Sequence, residues 1–168
     1  GGGTDVGLDG AARLGSGDGD AAPIIDATLD RGALAVCAEA CGAIQAVNAA
    51  TLDYLKQRKQ FGKTLASFQV LQHRLADMNV AFEETRAMVH AALAAVDAGA
   101  ADAPRLVAGA KVQAARAAHF VGGQGVQLHG GMGMTDELAV GHYYKRLMLC
   151  ETLFGDADWW LDRLAAQG

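Results

Sequence analysis

The chain has 168 residues, enough for one domain, and its net charge of −5 argues against a nucleic-acid-binding surface. Its apolar runs are short and interrupted by charges, so we expect no membrane span. Hydrophobic residues make up 51% of the chain, aromatic residues only 6%, and two prolines occur. This alanine-rich, proline-poor composition favours helices. Because the chain begins with glycine rather than methionine, we expect a processed or truncated product.

The first residues differ in composition from the rest. Asp5 to Gly10 alternate like a short strand, and Gly15 to Asp20 have the glycine and aspartate content of a flexible connector. A phosphate-binding loop is disfavoured there, since no Gly-Lys-Ser/Thr ending follows. We therefore predict that residues 1–22 are the end of a β-domain followed by a flexible connector and that residues 23–168 are one helical domain.

The helical period starts at Ile24 and indicates several long helices. Ser67 is the predicted N-cap of the second helix, Gly99 its end, and Asp102 with Pro104 the start of the third. Long helices joined by short connections predict an all-α, four-helix up-down bundle with a short fifth helix. The predicted helices span residues 24–58, 67–98, 103–129, 137–151 and 156–166.

Three cysteines are present, and an odd number without framework spacing suits a reducing compartment, which predicts a cytoplasmic protein. Cys37 and Cys41 are four residues apart, on one face of a helix. Such a pair would suit half of a metal site, but no paired histidines or cysteines complete it. We therefore expect buried structural thiols and no metal.

Two segments carry a resemblance. The first contains Arg58-Lys59-Gln60-Phe61-Gly62 and continues through Phe68-Gln69 to Ala76-Asp77-Met78. The second is Gln127-Leu128-His129-Gly130-Gly131-Met132-Gly133. In this order, about fifty residues apart, they resemble the signatures of the acyl-CoA dehydrogenase family. The resemblance covers about residues 24–166 and implies the family's C-terminal helical domain.

The resemblance implies FAD as the cofactor, held mainly by a neighbouring subunit and contacted by these two turns in a homo- or hetero-oligomer. The chemistry of these residues is consistent with FAD binding, because a guanidinium suits a pyrophosphate and glycine lets the backbone approach the cofactor closely. Spacing alone is also compatible with Arg58 as an ordinary cation at a helix C-terminus. The candidate cofactor-binding residues are Arg58, Phe61, Gln69, Leu71, Gln127, Gly130 and Gly131.

The implied reaction is α,β-dehydrogenation of an acyl-CoA thioester, in which a carboxylate removes the α-proton and the flavin accepts hydride. Electrons then pass to an acceptor such as a flavoprotein. The family's two usual glutamate positions correspond to Phe154 and to about Gly32, and neither is acidic here. Asp156 is a candidate displaced base or, equally in keeping with its position, an N-cap. Glu151 is a weaker candidate.

A non-catalytic role is the alternative. The segment from Asp136 to Asp158 resembles the small subunits of two-component acyl-CoA dehydrogenases such as the pimeloyl-CoA enzyme. On that interpretation the chain is a helical interaction subunit paired with a catalytic homologue.

Overall fold

The computed structural model describes residues 21–130 and 139–166, which form five α-helices and one short hairpin. The predicted connector, the Gly131 turn and the predicted start of the fourth helix lie outside these residues. The elements are α1 (Ala22–Gln57), β1 (Lys59–Gln60), β2 (Lys63–Thr64), a 3-10 turn (Leu65–Ser67), α2 (Gln69–Asp97), α3 (Ala103–His129), α4 (Ala139–Thr152) and α5 (Ala157–Ala165).

The predicted up-down bundle is confirmed by the contacts between helices. The Asn48 side chain donates to the carbonyl of Met78, which sets α1 against α2, and Gln113 donates to Glu84 between α3 and α2. Near its start α3 meets the end of α4, since Lys111 bonds the carbonyl of Cys150. Neighbouring helices therefore alternate in direction, and α3 packs against all four others.

Two clusters of buried side chains form the core, one along each half of the bundle. The larger cluster contains Ile44, Leu55, Met78 and Leu147, and the smaller one is centred on fully buried Trp160 of α5. Among the described residues, α1 alone is long and apolar enough to cross a membrane. Its buried stripe contributes to both clusters, as a core helix does.

One predicted helix signal is wrong. Ser67 does not cap α2, because a 3-10 turn occupies Leu65–Ser67 and Phe68 is the N-cap. The Ser67 hydroxyl instead donates to the carbonyl of Thr64, 2.8 Å away. Gly99, with φ 62°, follows the last turn of α2 as predicted. The α3 boundaries also match the prediction.

The three cysteines are free thiols that differ in burial. Cys37 and Cys150 are buried, and Cys41 is half-buried. Burial raises the pKa of Cys37 to about 12, so this thiol is a poor nucleophile and a poor metal ligand. Within residues 21–130 and 139–166, no three histidine, cysteine or acidic side chains are grouped as metal ligands.

Candidate functional site

The hairpin after α1 presents an aromatic ring to solvent. Lys59 pairs with Thr64 and Gln60 with Lys63, which leaves Phe61 and Gly62 as a two-residue loop. Both loop residues have positive φ, 53° and 74°, as in the type I′ turns that fit the twist of a hairpin. Left-handed backbone costs a bulky residue about 1–2 kcal/mol. Phe61 is nevertheless 89% exposed, so its own packing does not offset that cost.

Backbone hydrogen bonds tie the hairpin to the end of α1. Arg58 is the C-cap of α1, and its amide donates to the carbonyl of Tyr54 at 2.9 Å. Its own carbonyl accepts from the amide of Leu65 at 2.8 Å, which closes the hairpin at its base. The Arg58 side chain is exposed. The turn therefore carries a solvent-facing guanidinium at a fixed backbone position.

The end of α3 lies beside the end of α1. The ring of buried His129 packs against Tyr54 with 4.5 Å between centroids, and its Nδ1 lies 2.8 Å from the carbonyl of Gly125. Gly130 follows with φ 61° and ψ −143°, a conformation that glycine alone adopts readily. The two segments of the resemblance thus meet at one end of the bundle, the hairpin end, defined by residues 58–64 and 130.

The remaining candidate cofactor contacts also belong to this end. Gln69 and Gln127 are exposed, and Leu71 is half-buried against the larger core cluster. Arg74 donates to the side chain of Gln124 at 3.1 Å and so links the first turns of α2 to the last turns of α3. Gly131 lies outside the described residues.

Gly32 and Phe154, the two residues that the resemblance aligns with the family's catalytic glutamates, are in direct contact. A Cβ atom at Gly32 would overlap the ring of Phe154. The ring therefore occupies the space beside α1 that a side chain at position 32 would need. Sequence reasoning identified both positions but not that an aromatic ring at one requires glycine at the other.

The turn that carries Phe154 is held from several sides. Phe154 and Gly155 have positive φ, 59° and 95°, and the Trp160 indole nitrogen donates to the carbonyl of Phe154 at 3.0 Å. Asp156 is the N-cap of α5, where its carboxylate accepts from the amide of Trp159 at 2.9 Å. The N-cap interpretation of Asp156 thus describes what the carboxylate does in the folded chain. Its assignment as a base stays a prediction.

The weaker base candidate, Glu151, is already paired. Its carboxylate lies within hydrogen-bonding distance of Nε2 of His119 in α3, and its side chain is 21% exposed. Its carbonyl accepts from Lys111 at 2.7 Å. Both contacts hold it against α3.

Sequence reasoning missed two polar groups, buried Lys111 and partly buried Arg163. Lys111 lies in an alanine-rich helix stripe, and its place in that stripe was the available signal. Arg163 donates to Asp30 at 2.9 Å and lies over the rings of Trp159 and Trp160. The i, i+4 spacing of Asp26 and Asp30 on α1 was the available sequence signal for a cation partner. Nothing in the sequence indicates that this partner is Arg163 on the last helix.

Comparison with known proteins agrees with this geometry. The family model described as acyl-CoA dehydrogenase, C-terminal domain, matches residues 21–168. Similar proteins include the acyl-CoA dehydrogenase IpdE2 of Mycobacterium tuberculosis, 38% identical over 117 residues, or 70% of this chain and 35% of the relative. The short-chain-specific acyl-CoA dehydrogenase of Clostridium acetobutylicum is 35% identical over 144 residues, or 84% of this chain and 37% of the relative.

Solved structures give the same result. Butyryl-CoA dehydrogenase from Megasphaera elsdenii superimposes with a TM-score of 0.83 at 32% identity, covering 86% of this chain and 38% of that one. The helical bundle is thus the C-terminal domain fold of a flavoenzyme family. The chain belongs to the acyl-CoA dehydrogenase family, and it spans between 35% and 42% of the length of the first three curated relatives.

Proposed function

We propose that this chain supplies the flavin-contacting bundle of an acyl-CoA dehydrogenase, an oxidoreductase that introduces a double bond between the α and β carbons of an acyl-CoA thioester. The hairpin end carries the proposal. An exposed phenylalanine held in left-handed backbone makes no folding contact that accounts for its strain, and such strain is characteristic of binding sites.

The hairpin end fits one end of a dinucleotide. The Arg58 guanidinium would pair with the pyrophosphate, and the exposed Phe61 ring would pack on the adenine together with Leu71. Gln69 and Gln127 offer amide groups to its polar edges. Gly130, with Gly131, would let the main chain approach without a Cβ. When bound, FAD supplies the hydride acceptor, while these residues bind and orient it.

Replacement of Arg58 by alanine tests the assignment. In the full-length protein we expect the affinity for FAD to fall about ten- to a hundredfold, the range for a charge-assisted hydrogen bond. Arg105 is an exposed arginine near the start of α3, at the opposite end of the bundle, so Arg105→Ala is the matched control. Equal FAD retention by both variants would remove Arg58 from the site.

A second candidate function is a non-catalytic subunit of a heteromeric enzyme. What favours it is the Phe154 ring on Gly32, which places no carboxylate at either family position. Asp156 as a base is the competing proposal. Asparagine is as good an N-cap as aspartate, so Asp156→Asn preserves α5 while removing the base.

The test compares the full-length protein alone and with a catalytic homologue, using acyl-CoA-dependent dye reduction. For a non-catalytic subunit we expect no activity alone and no effect of Asp156→Asn in the complex. Activity of the protein alone that is abolished by Asp156→Asn would establish Asp156 as the base and reject the second candidate.

The partners belong to the same proposal. We expect an acyl-CoA substrate, an electron acceptor such as a flavoprotein, a homo- or hetero-oligomer and a cytoplasmic location. One structural relative is a chain from the electron transferring flavoprotein structure of Acidaminococcus fermentans, with a TM-score of 0.82 at 30% identity. That relative supports the class of acceptor proposed here.

A further inference from the structure

Lys111 is a cation enclosed in the centre of the bundle. It lies in α3, its side chain is 1% exposed, and the narrow gap beside it has no room for a water molecule. A buried ammonium needs compensation, because leaving water costs it several kcal/mol. Burial lowers the pKa of Lys111, and nearby acidic groups, among them Glu151 and Asp156, offset this only in part.

Main-chain carbonyls at the end of a helix supply that compensation. The Lys111 Nζ donates to the carbonyl of Cys150 at 2.9 Å and to that of Glu151 at 2.7 Å. Both carbonyls belong to the last turn of α4, where the intrahelical ladder leaves acceptors free and the helix dipole is negative. Lys111 therefore caps α4 from inside the bundle.

The capped turn leads directly into the Phe154 turn. Phe154 follows Glu151 by three positions, and α4 ends between them, at Thr152. From the other side, the indole of Trp160 holds the carbonyl of Phe154. The position of the Phe154 ring on Gly32 therefore depends on where α4 stops, and Lys111 fixes that point.

We propose that Lys111 is a positioning residue that fixes the conformation of the turn at Phe154. Through this turn, Lys111 determines which surface the chain presents at the position aligned with the family's catalytic base. The proposal rests on the proposed function. It assigns Lys111 no contact with substrate or flavin. Phe154 is 43% exposed, so its outer face is available to line a chamber completed by the rest of the protein.

The distance between the two ends of the bundle makes the proposal separable from flavin binding. Lys111 precedes His129 by 18 residues on one helix, which is roughly 27 Å at the usual helical rise. A change at Lys111 should therefore affect acyl-CoA and leave FAD in place. Loss of FAD on Arg58→Ala concerns the proposed function alone.

The test is Lys111→Met in the full-length, assembled protein. Methionine keeps much of the length and removes the charge and the donors. We expect faster hydrogen exchange in peptides covering 149–160, unchanged exchange in peptides covering 54–66, and unchanged FAD content. The KM for acyl-CoA should rise by about tenfold, less than the roughly hundredfold cost of misplacing a reacting group by 1 Å. Arg116→Met, an exposed cation on the same helix, is the control and should change none of these.

A double-mutant cycle with Phe154→Ala separates positioning from general destabilisation. If Lys111 acts through Phe154, adding Lys111→Met to Phe154→Ala should raise the KM no further, whereas independent effects would multiply. If Lys111→Met does not fold, Lys111→Gln retains an amide donor and takes its place. Unchanged KM and exchange in a folded variant, or multiplying effects in the cycle, would overturn the proposal.

Discussion

At the residue scale, the most informative pair is Gly32 with Phe154. A glycine inside a helix is ordinarily a cost of about 1 kcal/mol relative to alanine. Here that cost makes room for an aromatic ring, since a Cβ atom at position 32 would overlap it. The absence of a side chain at position 32 and the aromatic ring at position 154 are therefore one packing arrangement.

Because of this contact, a glycine-to-alanine substitution at position 32 should destabilise the protein, whereas the same substitution in a helix ordinarily stabilises it. We expect Gly32→Ala to destabilise the protein by about 1–3 kcal/mol, because the ring must leave its place. Gly42→Ala is the matched control on the same helix, where nothing lies within 4 Å of an added Cβ, and it should stabilise by roughly 0.5–1 kcal/mol. Urea unfolding measures both. Stabilisation by Gly32→Ala would mean that Phe154 does not occupy this place.

At the element scale, α5 is fastened to the first turns of α1 by one guanidinium. Arg163 is 17% exposed, pairs with Asp30 and Asp26, and lies over both tryptophan rings. Burial raises the pKa of Asp30, and Arg163 counters that shift. The helix that carries Trp160, and with it the bond to Phe154, is therefore held by a partly buried charge network.

Loss of Arg163 should be costly and pH-dependent. Arg163→Met leaves Asp30 without its main partner, so we expect a loss of about 3 kcal/mol at pH 7. The pKa of Asp30 would then rise further above its unfolded value. The folded variant would take up a proton on Asp30 as the pH falls. The loss of stability caused by Arg163→Met should therefore become smaller between pH 7 and pH 4.

Two variants check this interpretation of Arg163. Adding Asp30→Asn to Arg163→Met should recover part of the lost stability and remove the pH dependence. Arg146→Met breaks an exposed pair with Glu39 between α4 and α1, and it should reduce the stability much less than Arg163→Met does. A deficit of Arg163→Met that grows on acidification would contradict the assigned role of Asp30.

The sequence predicts an element well when residues within or next to that element determine its ends. Helix periods and glycine stops placed α1, α2 and α3 to within two residues, because their ends are set by the chain itself. The hairpin at 59–64 was not predicted, since a phenylalanine in left-handed backbone is disfavoured on local grounds. The Lys111 cap joins residues about forty positions apart, and only the folded bundle reveals it.

At the scale of the whole molecule, the two ends of the bundle have different proposed roles. The hairpin end gathers the residues proposed for the flavin, and the other half holds Phe154, Lys111 and Trp160 in one packed unit. Helix α3 contributes to both, because it touches every other helix. A rigid central helix keeps the two groups at a fixed separation, so an assembled enzyme can place flavin and acyl group against one scaffold.

The exposure of the hairpin end predicts a link between assembly and cofactor retention. Phe61 and Arg58 face solvent within this chain, and the family resemblance implies that the flavin they contact is held mainly by a neighbouring subunit. FAD should then dissociate as dilution separates the subunits, with both transitions at the same protein concentration. Sedimentation velocity of the full-length protein, followed by flavin and protein absorbance together, measures both. Arg58→Ala should lower the flavin signal of the oligomer without changing its mass. A dilute monomer that still sediments with a full complement of flavin would show that the hairpin end does not serve a neighbour.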